Sequence, residues 1–257
     1  MRTVVVTGAA SGIGLATKEL LESRGERVIG VDLHDSDVVV DLTSADGRRD
    51  LVEQARDLSG GTIDAIAAIA GVASSGAAVV AVNYFGALAT LEGLRPLLAG
   101  SSAPRAVVTS SMSSLLPRDD ELVDLCLADQ ERAALDRADT LVDTGLGRLV
   151  YGTSKAALSR WLRRSAPAER WAGAGIPLNA IAPGIVKTPL VASLISTPER
   201  REALAEQVPM PLNGFMEPSA PAALLAWLIS EENTHLCGQV VFIDGGSDAV
   251  LRGDSTW

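Results

Sequence analysis

Two cysteines and two histidines among 257 residues leave little material for redox or metal chemistry. Cys126 and Cys237 lie far apart without ligand spacing, and His34 and His235 form no cluster, so neither a disulfide framework nor a metal site is expected. Aromatic residues make up only 4% of the chain, and no run of Lys and Arg is interleaved with them. The 22 basic side chains are outnumbered by 32 acidic ones, for a formal net charge of −10 that repels a phosphate backbone; nucleic acid is not an expected partner. No apolar stretch runs uninterrupted for the about 18 residues that mark a membrane span. Met1 to Thr7 also lacks the basic, then apolar, then small pattern of a signal peptide. These absences point to a cytoplasmic protein without membrane contact.

What is present is core material, 47% hydrophobic residues against 21% charged, in a length suited to one domain. Apolar runs of strand length recur at Val4 to Val6, Val28 to Val31, Val38 to Val40, Ile63 to Ile69, Ala106 to Thr109, Ile176 to Ile181 and Val240 to Ile243. Helix-like stretches fall between them, over Gly12 to Gly25, Ala45 to Leu58, Ala77 to Ala99 and Tyr151 to Trp171. Strands buried on both faces alternating with helices make an α/β fold, a Rossmann-type doubly wound parallel sheet in a single domain over 1–257. One acidic segment interrupts the rhythm. Asp119, Asp120, Glu121 and Asp124 suit a helix start, with Leu122, Leu125 and Cys126 on one side, and Ala134, Leu135, Ala138, Leu141 and Val142 repeat that spacing. It reads as a small two-helix insertion at about 113–148, with a solvated loop as the alternative.

The first strand runs into Thr7-Gly8-Ala9-Ala10-Ser11-Gly12-Ile13-Gly14, and a helix follows. Gly8, Gly12 and Gly14 let backbone N–H groups of the turn, with Ser11 and Ile13, approach a pyrophosphate at a helix N-terminus. Asp32 ends the second strand, about 20 residues on, where a carboxylate accepts from ribose hydroxyls and repels a 2′-phosphate. With no Lys or Arg in the turn and Leu33 after Asp32, the expected cofactor is NAD and not NADP. Farther along, Tyr151 and Lys155 lie four residues apart, on one face of a helix. A phenol has a pKa of about 10 and is a poor base at neutral pH; a neighbouring ammonium and a cationic nicotinamide would stabilise its phenolate.

With the glycine turn and Tyr-x-x-x-Lys together, the chain resembles the short-chain dehydrogenase/reductase family over nearly its whole length. The resemblance implies that Ser111 hydrogen-bonds the substrate oxygen, with Ser110 the competing serine, that Tyr151 exchanges the proton, and that Lys155 holds the nicotinamide ribose. It implies that Asn83 positions a water at the end of a proton relay. It further implies cofactor contacts from Asp41 and Leu42 beside the adenine, Ala70 and Gly71 after the fourth strand, and Pro183, Gly184, Ile185, Val186 and Thr188 after the sixth. Two departures stand out: the family's Asn-Asn-Ala-Gly turn is here Ala68-Ile69-Ala70-Gly71, and the gap from Ser111 to Tyr151 is far longer than usual. The long gap and the motif Val82-Asn83-Tyr84-Phe85-Gly86 are similar to a bacterial subgroup acting on 3α-hydroxysteroids and other bulky carbonyl compounds. In that subgroup the insertion covers the face used for tetramers, which implies a homodimer. Pro189 to Pro211, rich in Leu, Val and Met, reads as a lid over an apolar cleft, or as a segment docked on the core. The other readings are a relative acting on a sugar, an acyl-carrier ketone or another small alcohol, a non-catalytic NAD-binding regulator, and an interaction scaffold.

Overall fold

A computed structural model describes residues 1–255. Seven parallel strands, β1 (Thr3–Thr7), β2 (Arg27–Asp32), β3 (Val38–Val39), β4 (Ala65–Ala68), β5 (Arg105–Thr109), β6 (Leu178–Pro183) and β7 (Val240–Ile243), lie in the order β3-β2-β1-β4-β5-β6-β7. Each apolar run read from the sequence is one of them. The sheet alternates its side chains between two cores. Val5, Ile66 and Val108 join one cluster, and Val4, Val6, Ala65 and Val107 join the other. Burial on both faces requires helices on both, which is why the strands carry no polar alternation.

The second core is closed by α1 (Gly12–Ser23) and α9 (Ser219–Leu228). The first is closed by α2 (Ala45–Ser59) and by a long helical run from Ala77 to Gly100. This run comprises α3 (Ala77–Val80), a π turn over Ala81–Gly86, α4 (Ala87–Leu94) and a 3₁₀ segment over Arg95–Gly100. It has the length and hydropathy of a membrane span, yet 67% of its apolar window is buried inside the domain. Packing against the sheet accounts for its apolar character.

The acidic segment forms α5 (Asp120–Leu127) and α6 (Glu131–Asp143), the two helices that its spacing predicts. Asp119 caps α5 by accepting from the Leu122 N–H at 2.7 Å. Leu122, Val123, Ala134, Ala138 and Leu141 are buried, laying the pair onto α7 (Arg148–Ser165) and α3. The segment from Pro189 to Pro211 holds α8 (Pro198–Gln207), begun by Thr197, and α10 (Ser247–Arg252) follows β7. The strand order reverses at β1, between β2 and β4. A crevice therefore opens at the carboxyl ends of the strands, the place where such sheets hold ligands.

Candidate active site

The turn after β1 is built for close approach. Gly8 and Gly12 have φ of +73° and +52°, left-handed values that favour glycine. A methyl group on Gly14 would run into the Gly8 carbonyl oxygen, and one on Gly12 would lie 3.0 Å from Thr188 Cγ2. The turn therefore brings backbone, without side chains, up to the N-terminus of α1. The Ala10 N–H donates to Asp32 Oδ2 at 2.9 Å, while the Leu33 N–H donates to Oδ1 at 2.7 Å. Asp32 is thereby fixed at the edge of the glycine turn, with lone pairs left for further donors.

Where the asparagines of the fourth turn are missing, Thr7 takes over. Its Oγ1 accepts from the N–H groups of both Ile69 and Ala70 at 3.0 Å, pinning the end of β4 to β1.

One cleft, with a volume of about 990 Å³, joins these parts. Its wall includes Gly8, Ser11, Gly12, Ile13, Gly14, Ala70, Gly71, Ser111, Tyr151 and Lys155. Pro183, Gly184, Ile185, Val186 and Thr188 line it as well, so most of the residues singled out in the sequence meet here. The helix α7 carries Tyr151 and Lys155 one turn apart, with Lys155 Nζ 5.9 Å from the centre of the Tyr151 ring. Nζ donates to the Thr109 carbonyl at 2.8 Å, which ties α7 to the end of β5.

Burial acts in opposite directions on the two groups. It pushes the Tyr151 phenol up, with the Ser111 hydroxyl pulling it part of the way back, and it lowers Lys155 to about 8. The lowering of Tyr151 expected from the lysine is thus not a property of the protein alone, because desolvation dominates. Ser111 accepts from the Ser113 N–H at 3.1 Å and faces the cleft. Ser110, the competitor, is turned into α7, with its hydroxyl 2.7 Å from Ser159 Oγ and donating to the Lys155 carbonyl.

The Asn83 amide donates to the Val72 carbonyl and accepts from its N–H at 2.9 Å each, with Ser154 Oγ 3.5 Å from its nitrogen, so the side chain braces the 70–72 turn. It remains beside Lys155 across Gly71, where an added Cβ would meet Asn83 Oδ1 at 3.1 Å and Lys155 Nζ at 3.6 Å. Asp41 closes its own turn, accepting from the Thr43 N–H and hydroxyl at 2.8 Å each. Leu42 is buried against Gly86; like Asp32, neither it nor Asp41 is part of the wall of this cleft. The sequence reading also passed over Ser74, Ser75, Leu116, Arg148 and Gln207, all in the cleft wall. For Arg148 a signal existed, its position one turn before Tyr151.

A glycine turn at a helix N-terminus that shares a cleft with a serine, a tyrosine and a lysine defines a nucleotide-dependent oxidoreductase. Residues 2–121 match the family profile described as short chain dehydrogenase, and residues 140–248 match enoyl-(acyl carrier protein) reductase. The chain is 36% identical to 3-alpha-hydroxysteroid dehydrogenase/carbonyl reductase of Comamonas testosteroni, over 98% of each. It is 31% identical to cis-4-hydroxycyclohexanecarboxylate dehydrogenase of Sinomonas cyclohexanicum, over 97% of each. The crystal structure of 3-alpha-hydroxysteroid dehydrogenase from Pseudomonas sp. B-0831 complexed with NADH superposes with a TM-score of 0.90 at 37% identity, covering 98% of this chain and 99% of that one. The chain belongs to the short-chain dehydrogenase/reductase family.

Proposed function

We propose that the protein interconverts a secondary alcohol and a ketone with NAD, and that a 3α-hydroxysteroid or another bulky apolar carbonyl compound is its substrate. The observation that carries this reading is the convergence of Ser111, Tyr151 and Lys155 with the glycine turn in one cleft. The residues fit the dinucleotide. Gly8, Gly12 and Gly14 leave a cradle that a Cβ would fill, and Asp32 is held where it accepts from ribose hydroxyls. Ala70, Gly71, Lys155 and the Pro183–Thr188 segment form the rest of its wall. When bound, NAD supplies the hydride acceptor and a positive charge.

The side chains of the protein manage the oxygen and its proton. Ser111 and Tyr151 hold the substrate oxygen from two directions, and the Tyr151 hydroxyl carries the proton between that oxygen and the interior. Lys155, anchored on the Thr109 carbonyl, supplies the cationic charge that favours the phenolate. The side chain of Asn83 holds the turn beside Lys155, and the π turn that contains it shifts the helical hydrogen bonding there, so main-chain oxygen is the outer end of the relay. The lid contributes Leu190, Val191, Leu194, Leu204 and Val208 to the cleft, with Leu190 and Leu194 43% and 49% exposed, an apolar wall suited to a ring system.

Two features support a homodimer. The helices α5 and α6 cover the outer faces of α7 and α3, and β7, with half-buried side chains, leaves a sheet edge for a second copy. The test of function is absorbance of NADH during incubation with NAD and secondary alcohols that include 3α-hydroxysteroids, repeated with NADP. A signal with NAD and the steroids supports the reading. No turnover of any alcohol, together with NAD-dependent thermal stabilisation, would move it to the regulator class.

A further inference from the structure

We infer that the substrate bears a carboxylate and that Arg148, at the mouth of the cleft, recognises it. This deepens the function proposed above and rests on it.

The protein carries a formal net charge of −10, yet among the described residues no Asp or Glu lines the cleft. The charged residues in that wall are Arg148 and Lys155. Lys155 is 3% exposed and committed to the Thr109 carbonyl, so its charge belongs to the floor. Arg148 is exposed and forms no ion pair among the described residues, although the neighbouring insertion is rich in carboxylates. In that insertion Arg118, Arg132 and Arg137 all pair with acidic residues. Arg148 thus stands apart in facing a ligand cleft without a partner.

Its position on α7 sets the geometry. Arg148, Tyr151 and Lys155 succeed one another by about a helical turn, from exposed through half-buried to buried. Residues three apart on a helix have Cβ atoms about 5–6 Å apart. An oxygen held by Tyr151 therefore leaves the far side of its own ring within reach of the guanidinium. Ser74 and Ser75 share that part of the wall, and Leu190, Val191 and Leu194 face it from the lid. An apolar ring between a hydroxyl and a carboxylate matches this arrangement. A guanidinium fork takes both carboxylate oxygens at once, a geometry that lysine does not reproduce.

The test compares cis-4-hydroxycyclohexanecarboxylate with its amide, the same ring without the charge, using NAD and the full chain. The expected result is a kcat/KM about tenfold higher for the acid, carried by KM, and a preference that shrinks as salt is added. In Arg148→Gln the ratio of acid to amide falls to about one, and Arg148→Lys restores part of it. Equal kcat/KM for acid and amide in the parent, or an unchanged ratio in Arg148→Gln, overturns the inference. So does turnover of neutral alcohols with neither ring compound accepted. Failure to bind NADH and to oxidise any alcohol would instead sink the underlying function and the inference with it, an outcome recognisable from the NADH titration alone.

Discussion

The N–H of Ala10 donates to the Asp32 carboxylate at 2.9 Å, so the residue that ends β2 is locked to the glycine turn. A 2′-phosphate would stand against this fixed negative charge with no basic residue nearby to offset it, since Leu33 follows and Ala9, Ala10 and Ser11 fill the turn. NADH should bind at least about 100-fold tighter than NADPH, a few kcal/mol of discrimination. Replacing Asp32→Ser with Leu33→Arg should narrow or invert that ratio. Fluorescence titration with both reduced cofactors measures it, and equal binding by the parent would contradict the role of Asp32.

Tyr151→Phe removes one hydroxyl from a wall that otherwise stays intact. Turnover should fall by about 10²–10⁴, the range expected for loss of a general acid or base. The Kd for NADH should stay within about twofold, because the glycine turn, Asp32 and Lys155 are untouched. Retention of a tenth or more of the parental rate would remove Tyr151 from the proton path.

Lys155→Met separates catalysis from stability. Burial lowers this amine from 10.5 to about 8, so at pH 7 the folded protein carries a charge that the interior disfavours. The sign follows: between about 8 and 10.5 the unfolded chain binds more protons, and the stability of the parent rises with pH across that window. The ionic penalty at pH 7 is roughly 3 kcal/mol, offset by about 1–2 kcal/mol for the hydrogen bond to the Thr109 carbonyl. The variant should lack activity yet unfold at a higher urea concentration than the parent at pH 7, by about 1–2 kcal/mol. That advantage should close at about pH 9 and reverse as the pH approaches 10.5, where the parent keeps its hydrogen bond without the ionic penalty. A pH-independent difference would refute the buried charge.

Much of this site was legible because its chemistry is written in local spacing. Gly8, Gly12 and Gly14 announce their turn by position after a strand, and Tyr151 and Lys155 share a face because a helix has 3.6 residues per turn. What was not legible depends on partners brought together from far along the chain. Nothing in the run Val82-Asn83-Tyr84 reveals that the amide will meet the backbone of Val72, or in Asp41 that one carboxylate oxygen will accept from Thr43. The net direction at Tyr151 in the protein alone was not legible for an energetic reason. Charge attraction was weighed in the sequence, whereas desolvation depends on the depth of α7 in the fold.

The insertion offers a test of how a second element supports the first. Asp119 caps α5, takes a bidentate hold from Arg137 of α6, and its N–H donates to the Thr153 hydroxyl two residues from Tyr151. The Arg137 guanidinium, with the Leu122 N–H, holds its carboxyl below the ordinary 3.8 against the opposing effect of burial. Asp119→Ala should cost about 2 kcal/mol at pH 7, roughly 1 for the cap and the rest for the partly buried pair. A depressed carboxyl contributes stability that is complete above its unfolded value and fades as pH falls below 3.8. The gap between parent and variant should therefore narrow toward pH 3, and urea unfolding at several pH values would expose a gap that did not.

Thr7 bears on the missing asparagines. Its hydroxyl accepts two backbone N–H bonds at 3.0 Å, from Ile69 and Ala70, where the strand ends against the cofactor wall. Thr7→Val keeps the volume and strands both donors in a buried place, which should cost about 2–4 kcal/mol. Thr7→Ser retains the oxygen and loses a methyl group, so its cost should be about 1 kcal/mol. Because Ala70 and Gly71 stand in the cleft, the valine variant should also weaken NADH binding, measured by titration below its melting temperature. If serine destabilised the protein and valine did not, the methyl group and not the hydroxyl would be holding β4 to β1. The Ala68-Ile69-Ala70-Gly71 turn would then have to be stable without side-chain support.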